Sequence, residues 1–99
     1  MPKTYSVTRH AGAIDWLKEA GYSEACQVSH FDPTVVKPGD LVVGVLPVQL
    51  AAIVCEQGGK YLHLEMNVPA DRRGTEVSKD DMNAFGAKLS AFRVIPDTL

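Results

Sequence analysis

Three observations predict an α/β layer fold, with a largely parallel sheet of about five strands and helices on both faces. Apolar residues recur with period two and then period 3.6 along the chain, in the order β-α-β-β-α-β-α-β with short connections. One strand candidate, Leu41-Val42-Val43-Gly44-Val45-Leu46, is a nearly unbroken apolar run rich in β-branched residues. Such runs belong to central parallel strands covered on both faces. Finally, 99 residues that are 45% hydrophobic and 22% charged suffice for one globular core and no more, so positions 1–99 read as a single domain.

Each element has a local reason. Thr4-Tyr5-Ser6-Val7-Thr8 is β-prone and alternating, and it stops at Arg9-His10-Ala11-Gly12. Ala13, Ile14, Leu17 and Ala20 then fall on one helical face, and Gly21 suits the cap that ends that helix. A short second strand is expected over Cys26 to His30, followed by an extended turn at Asp32-Pro33. Lys37-Pro38-Gly39-Asp40 is turn chemistry that launches the strand over 41–46. Pro47 fits the first position of a helix that carries Val48, Ala51, Ala52 and Cys55 at helical spacing and closes at Gly58-Gly59.

Lys60 to Met66 alternates again, with Tyr61, His63 and Glu65 on one face and Leu62, Leu64 and Met66 on the other. Val68 to Thr75 is polar and broken by Pro69 and Gly74, hence a surface loop. Ser78 and Asp81 form a capping-box variant that opens a last helix with Met82, Phe85, Leu89 and Phe92 as its stripe. The final strand is placed over Phe92 to Ile95. No internal repeat or low-complexity tract interrupts this pattern.

Composition excludes several function classes. A formal charge of −2 argues against duplex nucleic acid, which needs a strong basic footprint. With 7% aromatic residues, a generic RNA-binding module that stacks bases on rings is also disfavoured. Cys26 and Cys55 form no C-x-x-C pair, so neither a disulfide framework nor a zinc site is signalled and a reducing cytoplasm is expected. Met1 to Gly12 lacks the apolar run of a secretory signal, and no stretch reaches the ~20 apolar residues of a membrane span. Neither G-x-G-x-x-G nor G-x-x-x-x-G-K-[ST] occurs, which argues against dinucleotide cofactors and Walker-type hydrolysis. The three histidines, His10, His30 and His63, lack metal-ligand spacing, so no metal or other cofactor is expected. No G-x-S-x-G elbow occurs, and Cys55 on an apolar helix reads as a small hydrophobe.

A largely parallel sheet binds ligands at the carboxyl ends of its strands, near a switch point in strand order. That singles out Thr8-Arg9-His10-Ala11-Gly12 and Gly44-Val45-Leu46-Pro47, which face one crevice if the two strands are neighbours. Arg9 and His10 beside a helix start could surround one anion, with Gly12 allowing close backbone approach. A solvated arginine and a turn-capping histidine fit the local pattern equally well. His30, after the second strand, can approach the same crevice or satisfy a loop hydrogen bond. Arg72 and Arg73 either close over phosphates with bidentate geometry or remain solvated surface charge. Glu65 qualifies as a general base only if it points into the site, and Trp16 has core packing as its default role beside base stacking or an interface.

The ordered segments 6–16 (SVTRHAGAIDW), 28–33 (VSHFDP), 37–40 (KPGD), 44–51 (GVLPVQLA) and 61–64 (YLHL), with the Pro69 to Gly74 loop, resemble a small CRISPR-associated family of type III systems, the Csx family numbered sixteen. The resemblance runs over nearly the whole chain. It implies a CARF-like, Rossmann-type domain forming a homodimer that handles cyclic oligoadenylate messengers across its two-fold axis. The implied activity is a metal-independent ring nuclease, most readily for cyclic tetra-adenylate, that ends the antiviral signal. For that activity, position at the strand ends makes Arg9 and His10 the catalytic candidates. Thr8, Gly12, His30, Gly44, Leu46, Pro47, Arg72 and Arg73 are the ligand-binding ones. A non-catalytic messenger-binding protein, a sponge or regulator, is the alternative function.

Overall fold

A computed structural model describes residues 2–98; Met1 and Leu99, the ends of the expected 1–99 domain, lie outside the described residues. The chain runs β1 (Thr4–Val7), α1 (Ala11–Leu17), β2 (Cys26–Val28), β3 (Leu41–Gly44), α2 (Val48–Glu56), β4 (Lys60–Glu65), α3 (Lys79–Ala84) and β5 (Lys88–Phe92). A wider helical turn over Lys18–Tyr22 continues α1 and kinks at Gly21. The five strands form one sheet in the order β2-β1-β3-β4-β5. β1 pairs in parallel with β2 and β3, β3 in parallel with β4, and β5 returns antiparallel to β4. The predicted α/β class and largely parallel sheet are therefore present.

Alternation along the strands divides the apolar residues between two faces. Tyr5, Val7, Val42 and Tyr61 pack with Ala51 and Val54 of α2 on one side. Leu64 packs with Ala13 of α1 and Met82 of α3 on the other, supported by Trp16 and Leu89. Helices thus cover both faces. Trp16 takes the core-packing role, its indole N–H donating to Asn83 Oδ1 at 2.9 Å. At the foot of the sheet the buried Asp40 carboxylate accepts backbone N–H groups from Lys3 at 2.8 Å and Lys37 at 2.9 Å. The Lys3 N–H first, then that of Lys37, hold its carboxyl below the usual carboxylate range.

The last third departs from expectation. Ser78 and Asp81 make both hydrogen bonds of the capping box, but α3 ends at Ala84, not beyond Leu89. Gly86 adopts φ +73°, Gly86 N–H donates to the Asn83 carbonyl at 3.2 Å and Ala87 N–H to the Met82 carbonyl at 2.9 Å. That is the reciprocal pattern of a Schellman stop. Leu89 and Phe92, predicted on the helical stripe, lie in β5, which begins four residues before the expected strand over 92–95. Their spacing fits a helix, yet the left-handed glycine breaks the period. Smaller shifts occur elsewhere: β2 stops at Val28 before His30, and β3 stops at Gly44 before Leu46. Pro47 is the N-cap of α2 with ψ 146°, and Val48 is the first helical residue.

Candidate functional site

The order 2-1-3 places the switch point between β1 and β3, the two strands whose ends were singled out. Gly44 closes β3 with φ +133°, and a Cβ there would strike the Val7 backbone carbonyl. That absence of a side chain lets Val45 N–H donate to the Val7 carbonyl at 3.2 Å, binding the two strand ends together. Gly44 is buried beneath the crevice and forms its frame rather than its wall.

The turn after β3 is held by a residue from β4. The Leu46 N–H donates to the Tyr61 hydroxyl at 2.8 Å, and that hydroxyl lies 2.7 Å from His63 Nδ1 and 3.3 Å from the Gly44 carbonyl. Burial pushes the Tyr61 phenol up from its ordinary value, so its proton stays available for donation. His63 is thereby a partner of Tyr61, and it meets Phe92 edge-on at 6.0 Å. Tyr61→Phe removes the acceptor of a buried N–H, for an expected loss of about 1–3 kcal/mol, measurable as a shift in urea midpoint.

The turn after β1 carries the cationic groups. Thr8 is buried, and its hydroxyl accepts the His10 N–H at 3.2 Å. His10 is the N-cap of α1 by its backbone (φ −88°, ψ 124°), with no side-chain cap, and its ring is exposed. Arg9 is exposed too, but it is not a loose surface charge. Its Nε–H donates to the Ser29 carbonyl at 3.4 Å, and its Nη2 lies 2.9 Å from His30 Nδ1. Gly12 lines the crevice, yet a Cβ there would run into the Val77 carbonyl. Its smallness therefore also admits the segment leading to α3.

Two clefts open on either side of this turn and share Thr8, Arg9, His10 and Val45. The first, about 630 Å³, has a floor of Leu64, Met66 and Met82 and a rim of Arg72, Arg73 and Glu76. The second, about 590 Å³, is bounded by His30, Phe31, Leu46, Pro47 and Leu50. Of the ten residues singled out from sequence, all but Gly44 therefore line one two-lobed crevice whose central ridge is Thr8-Arg9-His10. Within a chain of net charge −2, the crevice gathers three arginines and two histidines against Glu76.

The two loop arginines differ. Arg72 donates to Asp81 Oδ2 at 3.0 Å and lies 5.6 Å over the Phe85 ring, so it clips the loop to the start of α3. The Ser78 N–H first, with the Ser78 hydroxyl and Arg72 adding, holds the Asp81 carboxyl below the usual range. Arg73 is exposed and makes no side-chain ion pair among the described residues. Glu65 is outside the crevice, at hydrogen-bond distance from Ser90 (3.1 Å) and 3.4 Å from Lys88. Sequence reasoning missed Glu76 and the Leu64-Met66-Met82 floor. The floor was visible as an apolar strand face and helix stripe, but nothing local marks where a core face opens to solvent.

Among the described residues no helix is long and apolar enough to cross a membrane, and no group of three or more His, Cys, Asp or Glu side chains is placed to hold a metal ion. Compared with known families, residues 5–95 match the model described as "Putative CRISPR-associated protein (Cas_VVA1548)". No curated protein and no solved structure matches the chain.

Proposed function

Because the chain belongs to this CRISPR-associated family, we propose that its two-lobed crevice binds a cyclic oligoadenylate messenger, most readily cyclic tetra-adenylate, and linearises it without a metal. The observation that carries this reading is Arg9 on the wall shared by both lobes, at the carboxyl end of β1. A guanidinium there meets a phosphate, while the apolar surfaces on either side, Leu64-Met66-Met82 and Phe31-Leu46-Leu50, receive the adjacent bases.

In the proposed reaction a ribose 2′-oxygen attacks its adjacent phosphorus. The P–O2′ bond forms, the P–O5′ bond breaks, the 2′-OH proton leaves to a base and the departing 5′-oxygen gains a proton. The products carry a 2′,3′-cyclic phosphate and a 5′-hydroxyl, with no water consumed. Arg9 offsets charge growing on the phosphoryl oxygens. His10, exposed on the ridge and unpaired through its ring among the described residues, is positioned to move a proton. Holding the 2′-oxygen in line with the leaving oxygen supplies much of the acceleration.

A near two-fold symmetric ring calls for two crevices facing each other across a dimer axis. Exposed apolar residues beside the crevice mouth support this: Val45 is 53% and Val48 69% exposed. Val48→Glu is expected to weaken self-association tenfold or more, as loss of a buried apolar contact at an interface does, and to lower turnover with it. Sedimentation velocity across a concentration series checks the first effect.

The deciding experiment mixes protein with excess cyclic tetra-adenylate in EDTA and follows products by chromatography and mass spectrometry. Multiple turnovers yielding linear products with a 2′,3′-cyclic phosphate establish the activity. Intact ligand co-migrating stoichiometrically with the protein establishes a binding protein instead.

A further inference from the structure

We propose that His30 is a positioning residue for Arg9, acting through Nδ1 as a neutral acceptor, and that it neither contacts the reacting atoms nor moves a proton. The inference rests on the reading of the crevice as a phosphate site, which it deepens by assigning how the phosphate-binding arginine is held.

Donor and acceptor inventories fix the tautomer of His30. A guanidinium has N–H donors only, so the 2.9 Å contact between Arg9 Nη2 and His30 Nδ1 requires an unprotonated Nδ1. The ring proton then sits on Nε2. The Ser29 carbonyl takes Nε–H of the same guanidinium, so one face of the group is tied to the end of β2. Nη1 has no partner among the described residues, which leaves the Nη1–Nη2 edge for the paired oxygens of a phosphate. An exposed arginine otherwise surrenders considerable rotamer freedom on binding; here much of that ordering precedes the ligand.

A proton on Nδ1 removes the acceptor and sets a cation against the guanidinium, so protonated His30 and the pair exclude each other. The groups facing His30 are few. Arg9 and His10 come from the β1–α1 turn, while the β3–α2 side contributes Val45, Leu46, Pro47 and Leu50, which do not titrate. On its own segment, Asp32 is occupied by the Thr34 N–H and hydroxyl at 3.0 and 2.6 Å, and chiefly that hydroxyl holds its carboxyl below the usual range. A proton on either imidazole also adds positive charge beside a bound anion, so the tautomer and the His30→Asn comparison, not the direction of a pH dependence, report the pair.

The test has two arms. Long-range proton–nitrogen NMR of ligand-free protein should show His30 in the Nε2–H tautomer, and a mixture of tautomers in Arg9→Ala, which removes the donor. Binding of cyclic tetra-adenylate at neutral pH should fall about 3- to 10-fold in His30→Ala. His30→Asn, whose Oδ1 hangs from Cγ where Nδ1 does, should stay within about 3-fold of wild type. An Nδ1–H tautomer in the wild type overturns the proposal, as does His30→Asn falling as far as His30→Ala. If wild-type protein binds no cyclic tetra-adenylate, the messenger reading fails, and the tautomer arm alone decides whether His30 orients Arg9.

Discussion

Arg9→Ala is expected to lower single-turnover cleavage of cyclic tetra-adenylate by about 100-fold or more, the scale seen when a preorganised donor to developing charge is deleted. Binding should weaken as well if, as proposed, the same guanidinium on the ridge between the lobes meets the ground-state phosphate. Arg9→Lys should recover only part of the loss. One ammonium cannot hold the Ser29 carbonyl and His30 Nδ1 while also offering two parallel donors to a phosphate. Single-turnover rates with protein in excess separate these effects from dimerisation, and an Arg9→Ala protein that cleaves at the wild-type rate would sink the assignment.

The largest expected effect on stability is at Gly44. Alanine there must hold φ +133° and also drive a Cβ into the Val7 backbone carbonyl, which no side-chain rotation can relieve. Backbone strain and overpacking together suggest a cost of about 3–5 kcal/mol. For a domain of this size that is a fall in Tm of roughly 12 °C or more, and a large part of a total stability of about 5–15 kcal/mol. Gly21→Ala is the control. Its φ of +108° is equally unfavourable, but nothing lies within 4 Å of the added Cβ, so it should lose only about 1–2 kcal/mol. Equal losses at the two positions, read from urea unfolding, would show that the collision with Val7 is not what makes Gly44 necessary.

The central place of β3 was within reach of the sequence because the run at 41–46 has no polar face, whereas the full strand order was not. Once β3 lies beside β1, the Arg9 and Leu46-Pro47 turns must share an edge. Other features depend on distant partners. Arg72 and Arg73 are adjacent and alike in sequence, but Asp81 and Phe85 engage only Arg72. The link from Tyr61 to Leu46 N–H joins elements fifteen residues apart, and no local pattern announces it. His30 read as a candidate ligand contact; its engagement with Arg9 emerges only when the ends of β1 and β2 are placed side by side. The β5 offset has a local cause, since Gly86 stops a helix that the apolar spacing alone would extend.

The central place of β1 also bears on how the chain acquires its shape. Both partners of β1 are parallel, and both follow it in sequence: Cys26–Val28 on one side and Leu41–Gly44 on the other. Neither contact can form through a tight hairpin, so each demands closure of a long loop before it returns any stabilisation, and such pairings slow folding. During synthesis, β1 leaves the ribosome before either of its partners and has no complete seat until Gly44 has followed it. Arg9 is thus made well before the strand ends that fix its position, those of β2 and β3, exist to receive it.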